Sequence, residues 1–395
     1  MRVLISGAGI AGPTLAYWLA HYGMEPTIVE VAPQLRTGGY MIDFWGMGFE
    51  IADRMGLLPE LHSKGYLVES VKVVDRMGRR VAHFPADGLA RITQGRFISL
   101  PRGDLAASIF GKIEGKVETI FGDSVSRIEQ SDRSVHVVFE SGLERDFDLL
   151  VGADGLHSSV REIVFGPQAR FEKFLGYKAA ALEVDGYRPR DELEYVLFTE
   201  VGQQIARFSM RGDRTMFLFT FADPEASDAD AGDIHAQREL LRRRFGKSGW
   251  ECPQILERLD GCDLYFDRVS QIQMDSREGL WASGRVILLG DAAFCVSLLA
   301  GQGSALAMLA AYILAGELHR ASGDYRRAFA QYRGRFEPFI RKKQKSALRM
   351  AGMFAPKSRF ALFIRNQVMN LMAVPWIAEL AIGRDLADHI DVPNY

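Results

Sequence analysis

The chain has 395 residues, room for two or three domains at roughly 150 residues each, and 48% of them are apolar, which excludes disorder and low-complexity fibres. Forty-eight Lys and Arg stand against 50 Asp and Glu; a net charge of −2 provides no field for nucleic acid. The three cysteines, Cys252, Cys262 and Cys295, form no CxxC and have no histidine at ligand spacing, so neither a disulfide framework nor a metal site is expected, and a reduced cytoplasm fits.

In chain order, Arg2 to Ser6 is a short apolar strand ending in glycine. The run is too short for a signal peptide. Leu15, Trp18, Leu19 and Tyr22 carry helical spacing over Pro13 to Tyr22, and Pro26 to Val31 is β-like again. Strand, glycine turn, helix, strand is a βαβ unit, and predicts a parallel sheet. Residues 71 to 84 predict a strand pair around Met77-Gly78, and Arg102 to Ile113 a helix. Val117 to Ile120, Val125 to Gln130, Val135 to Phe139 and Asp148 to Gly152 predict strands. From Ala179 to Phe221 the pattern is β-rich, then come an acidic stretch from Asp223 to Asp233 and a helix near Ala236 to Phe245. Arg285 to Leu289 is an apolar strand, and Gly303 to Asp388 is mainly helical, broken by Pro356 and Pro375.

Three stretches bear on partners. Ala292 to Gly316 holds no charge, yet Gly301-Gln302-Gly303 interrupts it, so it reads as a buried loop and helix and no integral membrane span is expected. The basic runs Arg242-Arg243-Arg244 and Arg341-Lys342-Lys343-Gln344-Lys345 read as solvated helix faces. Ala351 to Ile382, rich in Met, Phe, Leu and Ile with Lys357, Arg359 and Arg365 interspersed, reads as helices closing over a substrate domain or forming a dimer face, with a membrane anchor the alternative, so monomer and homodimer both stay open.

Gly7-Ala8-Gly9-Ile10-Ala11-Gly12 is GxGxxG between a strand and a helix. Gly7 permits the turn, Gly9 lets a pyrophosphate approach the backbone, and Gly12 lets helix and strand pack closely, while the helix start offers free N–H groups. Glu30, 18 residues beyond Gly12, sits where a carboxylate accepts the hydroxyls of an adenosine ribose. The motif binds a dinucleotide and does not by itself choose NAD from FAD.

Two later motifs choose. Asp148 to Gly155 ends in Ala153-Asp154-Gly155 and is followed by Ser158, Ser159 and Arg161; much later come Gly290-Asp291 and Ala300-Gly301-Gln302-Gly303. With these in this order, the chain resembles, over nearly its whole length, the FAD-dependent aromatic-ring monooxygenases of the p-hydroxybenzoate hydroxylase type, including the tetracycline-inactivating branch. The resemblance implies an α/β fold: a Rossmann-like FAD-binding domain (1–70, 97–170 and 275–335) split by a β-rich substrate domain (71–96 and 171–274), with C-terminal helices (336–395). It implies that Gly7, Gly9, Ala11 and Gly12 hold the pyrophosphate and Glu30 the ribose. Arg102 reaches FAD, Val125 borders the adenine, Asp154 serves FAD and the nicotinamide, Asp291 bonds the ribityl chain, and Gly301, Gln302 and Gly303 lie against the isoalloxazine. It also implies NADPH or NADH as a transient co-substrate, O2, a flavin C4a-hydroperoxide, and a small aromatic or polycyclic substrate to be hydroxylated.

The chain departs from that pattern where Phe294 replaces a histidine, Ser297 and Leu298 replace prolines, and Val31 replaces an arginine after Glu30. Arg36 is either the substitute for that arginine or a surface residue. Tyr40, Asp43 and Trp45 either line the active site or pack a strand, and Phe208, Met210, Phe217 and Phe219 either line a substrate pocket or fill a core. The residues name no substrate-activating base. A flavin reductase of prenyl or lipid double bonds, a non-catalytic flavin protein and a nicotinamide-only dehydrogenase are the rival readings.

Overall fold

The structure, a computed structural model, describes residues 1–36, 38–86, 91, 93–223, 232–275, 281–372, 374 and 390–395. Thr37, most of the acidic stretch after Asp223 and the segment 375–389 of the apolar tail lie outside the described residues, as do the side chains of 349–353.

Val3-Leu4-Ile5, the middle of the strand Arg2–Ser6, is an unbroken apolar run because this is an inner strand of a parallel sheet, covered on both faces. Glu25–Glu30 and Leu149–Gly152 pair with it in parallel on either side; Glu118–Phe121 and Val286–Leu288 extend the parallel set, and Ala282–Ser283 adds an antiparallel edge. Parallel strands end on the same edge, so the chain leaves Ser6, Glu30, Gly152 and Leu288 along one rim, where ligands bind in such sheets. A three-stranded antiparallel sheet, Val125–Gln130, Val135–Phe139 and Glu144–Phe147, buries Val135, Val137, Phe139 and Phe147 in the same core.

The second large sheet has seven strands, in the order Leu264–Ile272, Glu172–Asp185, Arg214–Ala222, Gln203–Ser209, Glu194–Glu200, Ser70–Val74 and Arg80–Pro85. Alternation gives it two different faces. Val196, Phe198, Ile205, Phe217, Phe219 and Phe221 point to one, where Ile234–Phe245 and Cys252–Leu256 cover them. Phe208, Met216 and Ala181 point to the other, with Tyr66 and Met210. This corrects the pocket reading of Phe217 and Phe219. The register pairs Phe217 with Arg207 and Phe219 with Ile205, whereas Phe208 pairs with Met216. Phe217 and Phe219 are therefore core residues packed on Tyr187 and Phe245, and the sheet shields them from the other face.

The uncharged stretch ends in the helix Gly303–Arg320, buried from Leu306 to Leu318 between Ala11–His21 and Met47–Arg54. Among the described residues no helix is long and apolar enough to cross a membrane. Tyr325–Phe354 follows, then Pro356, and then Arg359–Leu371, whose Ser358 cap accepts from the Ala361 amide. Close packing of Met47–Arg54 on Gly303–Arg320 requires Gly48, where a Cβ would lie 2.4 Å from Ala305 Cα. Gly48→Val is expected to cost about 1–3 kcal/mol through overpacking, read as a lower urea midpoint at unchanged slope. An unchanged midpoint would show that the two helices do not meet this closely.

Candidate functional site

The three glycine motifs come together at the rim of the parallel sheet. Gly7 has φ +107°, and a Cβ there would lie 2.5 Å from the Ala153 carbonyl oxygen. On Gly12 a Cβ would lie 1.9 Å from the carbonyl oxygen of Gly7, and on Gly290 3.2 Å from the Cβ of Ala11. Each motif thus uses a missing side chain to touch another. Arg102, at the start of Arg102–Gly111, places Nη2 3.6 Å from where a Gly9 Cβ would be. No side chain caps Ala11–His21 at its N-terminus, so its first amides face the rim.

Glu30 closes one end of this rim. Its carboxylate accepts from the Ala8 amide at 2.8 Å and the Ala32 amide at 3.0 Å. Arg36 Nη2 lies 3.8 Å from Glu30 Oε1 and is otherwise exposed, so this arginine joins Glu30. The loop before Val125 hydrogen-bonds the same strand end, Asp123 N to Glu30 O and Gly122 N to Ala32 O; the Val125 side chain itself is buried.

At the other end the Asp291 side chain is open to the cleft. Surrounding protein raises its carboxyl above the usual range, and Arg102 opposes that shift. Gly303, on which a Cβ would lie 3.8 Å from Asp291 Oδ1, opens a helix with no side-chain cap. Gly301 before it is left-handed (φ +64°) with nothing within 4 Å of a would-be Cβ. A carboxylate, a bare glycine bend and uncapped amides lie together, so hydroxyls and a developing negative charge both find partners.

Asp154 acts locally. Its two oxygens accept from Ser158 Oγ (2.5 Å) and Val160 N (3.1 Å) and hold the turn into Ser159–Phe165. Arg161, which the motif contains but sequence reasoning left without a role, is fully buried. It donates to Ala292 O, Leu156 O and Gln168 Oε1, tying the second motif to the third. His157 Nε2 lies 3.2 Å from Asp267 Oδ1, a brace between this loop and the seven-stranded sheet.

The other face of that sheet packs around Phe208, Met210 and Met216 against Tyr66, Tyr40 and Met41. Met41–Trp45 pairs antiparallel with Phe97–Pro101, sending Ile42 and Phe44 into the core and Met41, Asp43 and Trp45 the other way, half-buried. Asp43 accepts from Ser99 Oγ at 2.5 Å and from Tyr195 Oη at 3.3 Å. Burial raises its carboxyl, and burial with Asp43 nearby raises the Tyr195 hydroxyl. Phe208 packs on Tyr195 (4.7 Å between centroids) and on Tyr66 (5.2 Å). Tyr40, its hydroxyl pushed up to about 12 by burial, meets Tyr265 at 5.3 Å. The structure thus brings Tyr40, Asp43, Phe208 and Met210 to this side. It adds Tyr195 and Tyr265, which strand alternation carried through Glu194–Glu200 and Leu264–Ile272 would have pointed out, and Tyr66, held by an isolated bridge to Ser99, for which the sequence gives no signal.

Arg365 was missed as well. It reaches down from Arg359–Leu371 to Thr199 Oγ1 and Gln204 Oε1, both at 3.1 Å, and burial lowers its guanidinium to about 10. Phe294, in place of the expected histidine, turns into an aromatic cluster with Trp281 and Phe336 and contributes no polar group to the cleft.

Residues 1–327 match the family described as FAD binding domain. A flavin-dependent monooxygenase from an unknown prokaryotic organism is 33% identical over 397 residues, covering all of this chain and 99% of its own. The chain belongs to the FAD-dependent monooxygenases. A Mycobacterium tuberculosis (strain H37Rv) protein described as uncharacterized is 39% identical over 350 residues, 87% of this chain and 91% of its own. The crystal structure of tetracycline destructase Tet(51) superposes with a TM-score of 0.84 at 31% identity, covering all of this chain and 99% of its own. Membership in the aromatic hydroxylase group sets aside the prenyl reductase, the non-catalytic flavin protein and the nicotinamide-only dehydrogenase. The residues of this monooxygenase fit FAD: a glycine cradle with open amides, a fixed strand-end carboxylate, and a second carboxylate open beside an uncapped helix.

Asp267 raises the pKa of His157 above 6.5. The brace therefore contributes fully below pH 6.5 and fades as pH rises through the raised value. Asp267→Asn is expected to return the His157 titration, followed by NMR, towards 6.5; no movement would remove the brace.

Proposed function

We propose that this monooxygenase uses NADPH or NADH and O2 to hydroxylate a small phenolic or fused polycyclic substrate held between the FAD groove and the seven-stranded sheet. Gly7, Gly9, Ala11 and Gly12 present backbone to the pyrophosphate, Glu30 and Arg36 hold the adenosine end, and the Val125 segment borders the adenine. Arg102 reaches across the groove, Asp154 shapes its loop, Asp291 takes the ribityl hydroxyls, and Gly301, Gln302 and Gly303 let the ring approach. When bound, FAD supplies the redox chemistry, taking electrons from the nicotinamide and passing one oxygen atom of O2 to the substrate.

The observation that carries the substrate class is the Asp43–Tyr195 pair inside an aromatic wall. The half-buried Tyr40 and Tyr265 offer faces and edges to a planar ring, while the buried Phe208 and Tyr66 back Tyr195 from behind. A ring hydroxyl at Tyr195 Oη passes its proton to the tyrosine as the tyrosine passes its own to Asp43. The ring becomes electron-rich while the buried wall keeps water away. Similarity to a tetracycline destructase favours a fused-ring compound with phenol and enol oxygens, so tetracycline heads the panel to be tested.

NAD(P)H oxidation and O2 uptake are expected to rise together when such phenols are added and to yield an oxygenated product. A broad panel giving neither would overturn the reading. Asp43→Asn is expected to lower kcat by about 10²-fold and to remove the rise in rate as pH passes the elevated carboxyl pKa, with FAD content unchanged. Asp291→Ala is expected instead to weaken FAD retention on dialysis, and undiminished retention would cancel the role given to Asp291.

A further inference from the structure

The segment from Pro338 to Met372 holds eight basic residues and no Asp or Glu, in a chain whose acids outnumber its bases. Within it, Arg359–Leu371 has two sides. One is held to the protein by the buried Arg365, which bonds Thr199 and Gln204, and Asn370, at the margin between the sides, bonds Val81 O and His83 N. The other faces solvent with Phe360 at 74% exposure, Phe363 at 57%, Ile364 at 44% and Leu371 at 53%. At about 100° per residue these four fall within one arc of roughly 100°, opposite Arg365. Lys357 and Arg359, both exposed, stand at the same end of the helix as Phe360.

Single exposed apolar residues are ordinary, but a stripe of four on a helix fixed from behind is not. Fixation also means the stripe cannot turn inward to bury itself. A second copy of this face would bring basic flanks together with no acid in the segment to receive them. A polyanion such as nucleic acid would satisfy the bases and leave Ile364 and Leu371 in water. An anionic bilayer satisfies both, with phosphate headgroups for Lys357 and Arg359 and acyl chains for the stripe.

We propose that Arg359–Leu371 is a membrane-surface docking helix. It lies in the headgroup plane of an anionic bilayer, with Phe360, Phe363, Ile364 and Leu371 immersed and no part of the chain crossing. The helix then separates lipid on one side from the seven-stranded sheet on the other, and an apolar small molecule dissolved in the bilayer would be concentrated beside the cleft. The inference does not depend on which reaction the cleft performs.

The test is co-flotation of the flavin-loaded full chain with phosphatidylcholine vesicles and with phosphatidylcholine–phosphatidylglycerol vesicles, at low and high salt. The expected result is at least ~10-fold stronger association with the anionic vesicles, reduced by salt. Phe360→Ser combined with Phe363→Ser is expected to abolish it, with melting temperature and bound flavin unchanged because both rings are exposed. Lys357→Glu with Arg359→Glu is expected to remove the preference for anionic lipid. No association with either vesicle, or full association of the double-serine variant, overturns the proposal. So does light scattering that shows a dimer dispersed by the double-serine change, since the stripe would then face a second copy.

Discussion

The molecule depends on backbone meeting backbone where three distant segments converge. Gly7 against Ala153, Gly12 against Gly7 and Gly290 against Ala11 leave no room for a Cβ to stand without displacing its neighbour. Left-handed or otherwise positive φ at Gly7 and Gly290 adds a cost of roughly 1–2 kcal/mol per site for any L side chain. These contacts set the spacing of the rim, and with it the distance from the Glu30 carboxylate to the Asp291 carboxylate. Arg161 reinforces them from below by holding Ala292 to the second motif, its two terminal nitrogens donating to two carbonyls and the Gln168 amide oxygen.

The seven-stranded sheet carries a division of labour that follows from period two. One face is closed by Ile234–Phe245 and Cys252–Leu256 over a block of phenylalanines, which makes the sheet rigid. Because that face is sealed, the other can keep polar groups such as Tyr195 and Gln204 in register with aromatic ones, and Tyr195 there meets Asp43 of the neighbouring strand pair. Rigid backing on one side is what lets a half-buried carboxyl with a raised pKa stay at a fixed place on the other. The C-terminal helix completes this side, pinned by a desolvated arginine to two neutral side chains.

Much of this was legible in the chain itself. The βαβ start, the glycine motifs, Glu30 and Asp291 announce themselves because each is a local rule, a turn, a cap or a strand end, with its residues close in sequence. Strand limits such as Val125–Gln130 and Val135–Phe139 follow directly from alternation. For Phe217 and Phe219 the sequence leaves pocket and core both open, because alternation shows that two faces exist and is silent on which one a helix will cover. The sequence shows Phe294 as a departure from the family histidine but not what it does instead, because Trp281 and Phe336, 13 and 42 positions away, turn its place into core.

The sequence by itself determined the glycine turn, the FAD-binding domain and the family, because those reside in short motifs whose geometry is written into a few neighbouring residues. Only the tertiary structure decided that Asp43 meets Tyr195 across 152 positions, that Arg365 reaches the sheet and that Phe360 and Phe363 remain in solvent. Such pairings depend on how separate sheets and helices pack, and packing is a property of the whole chain that no local pattern encodes.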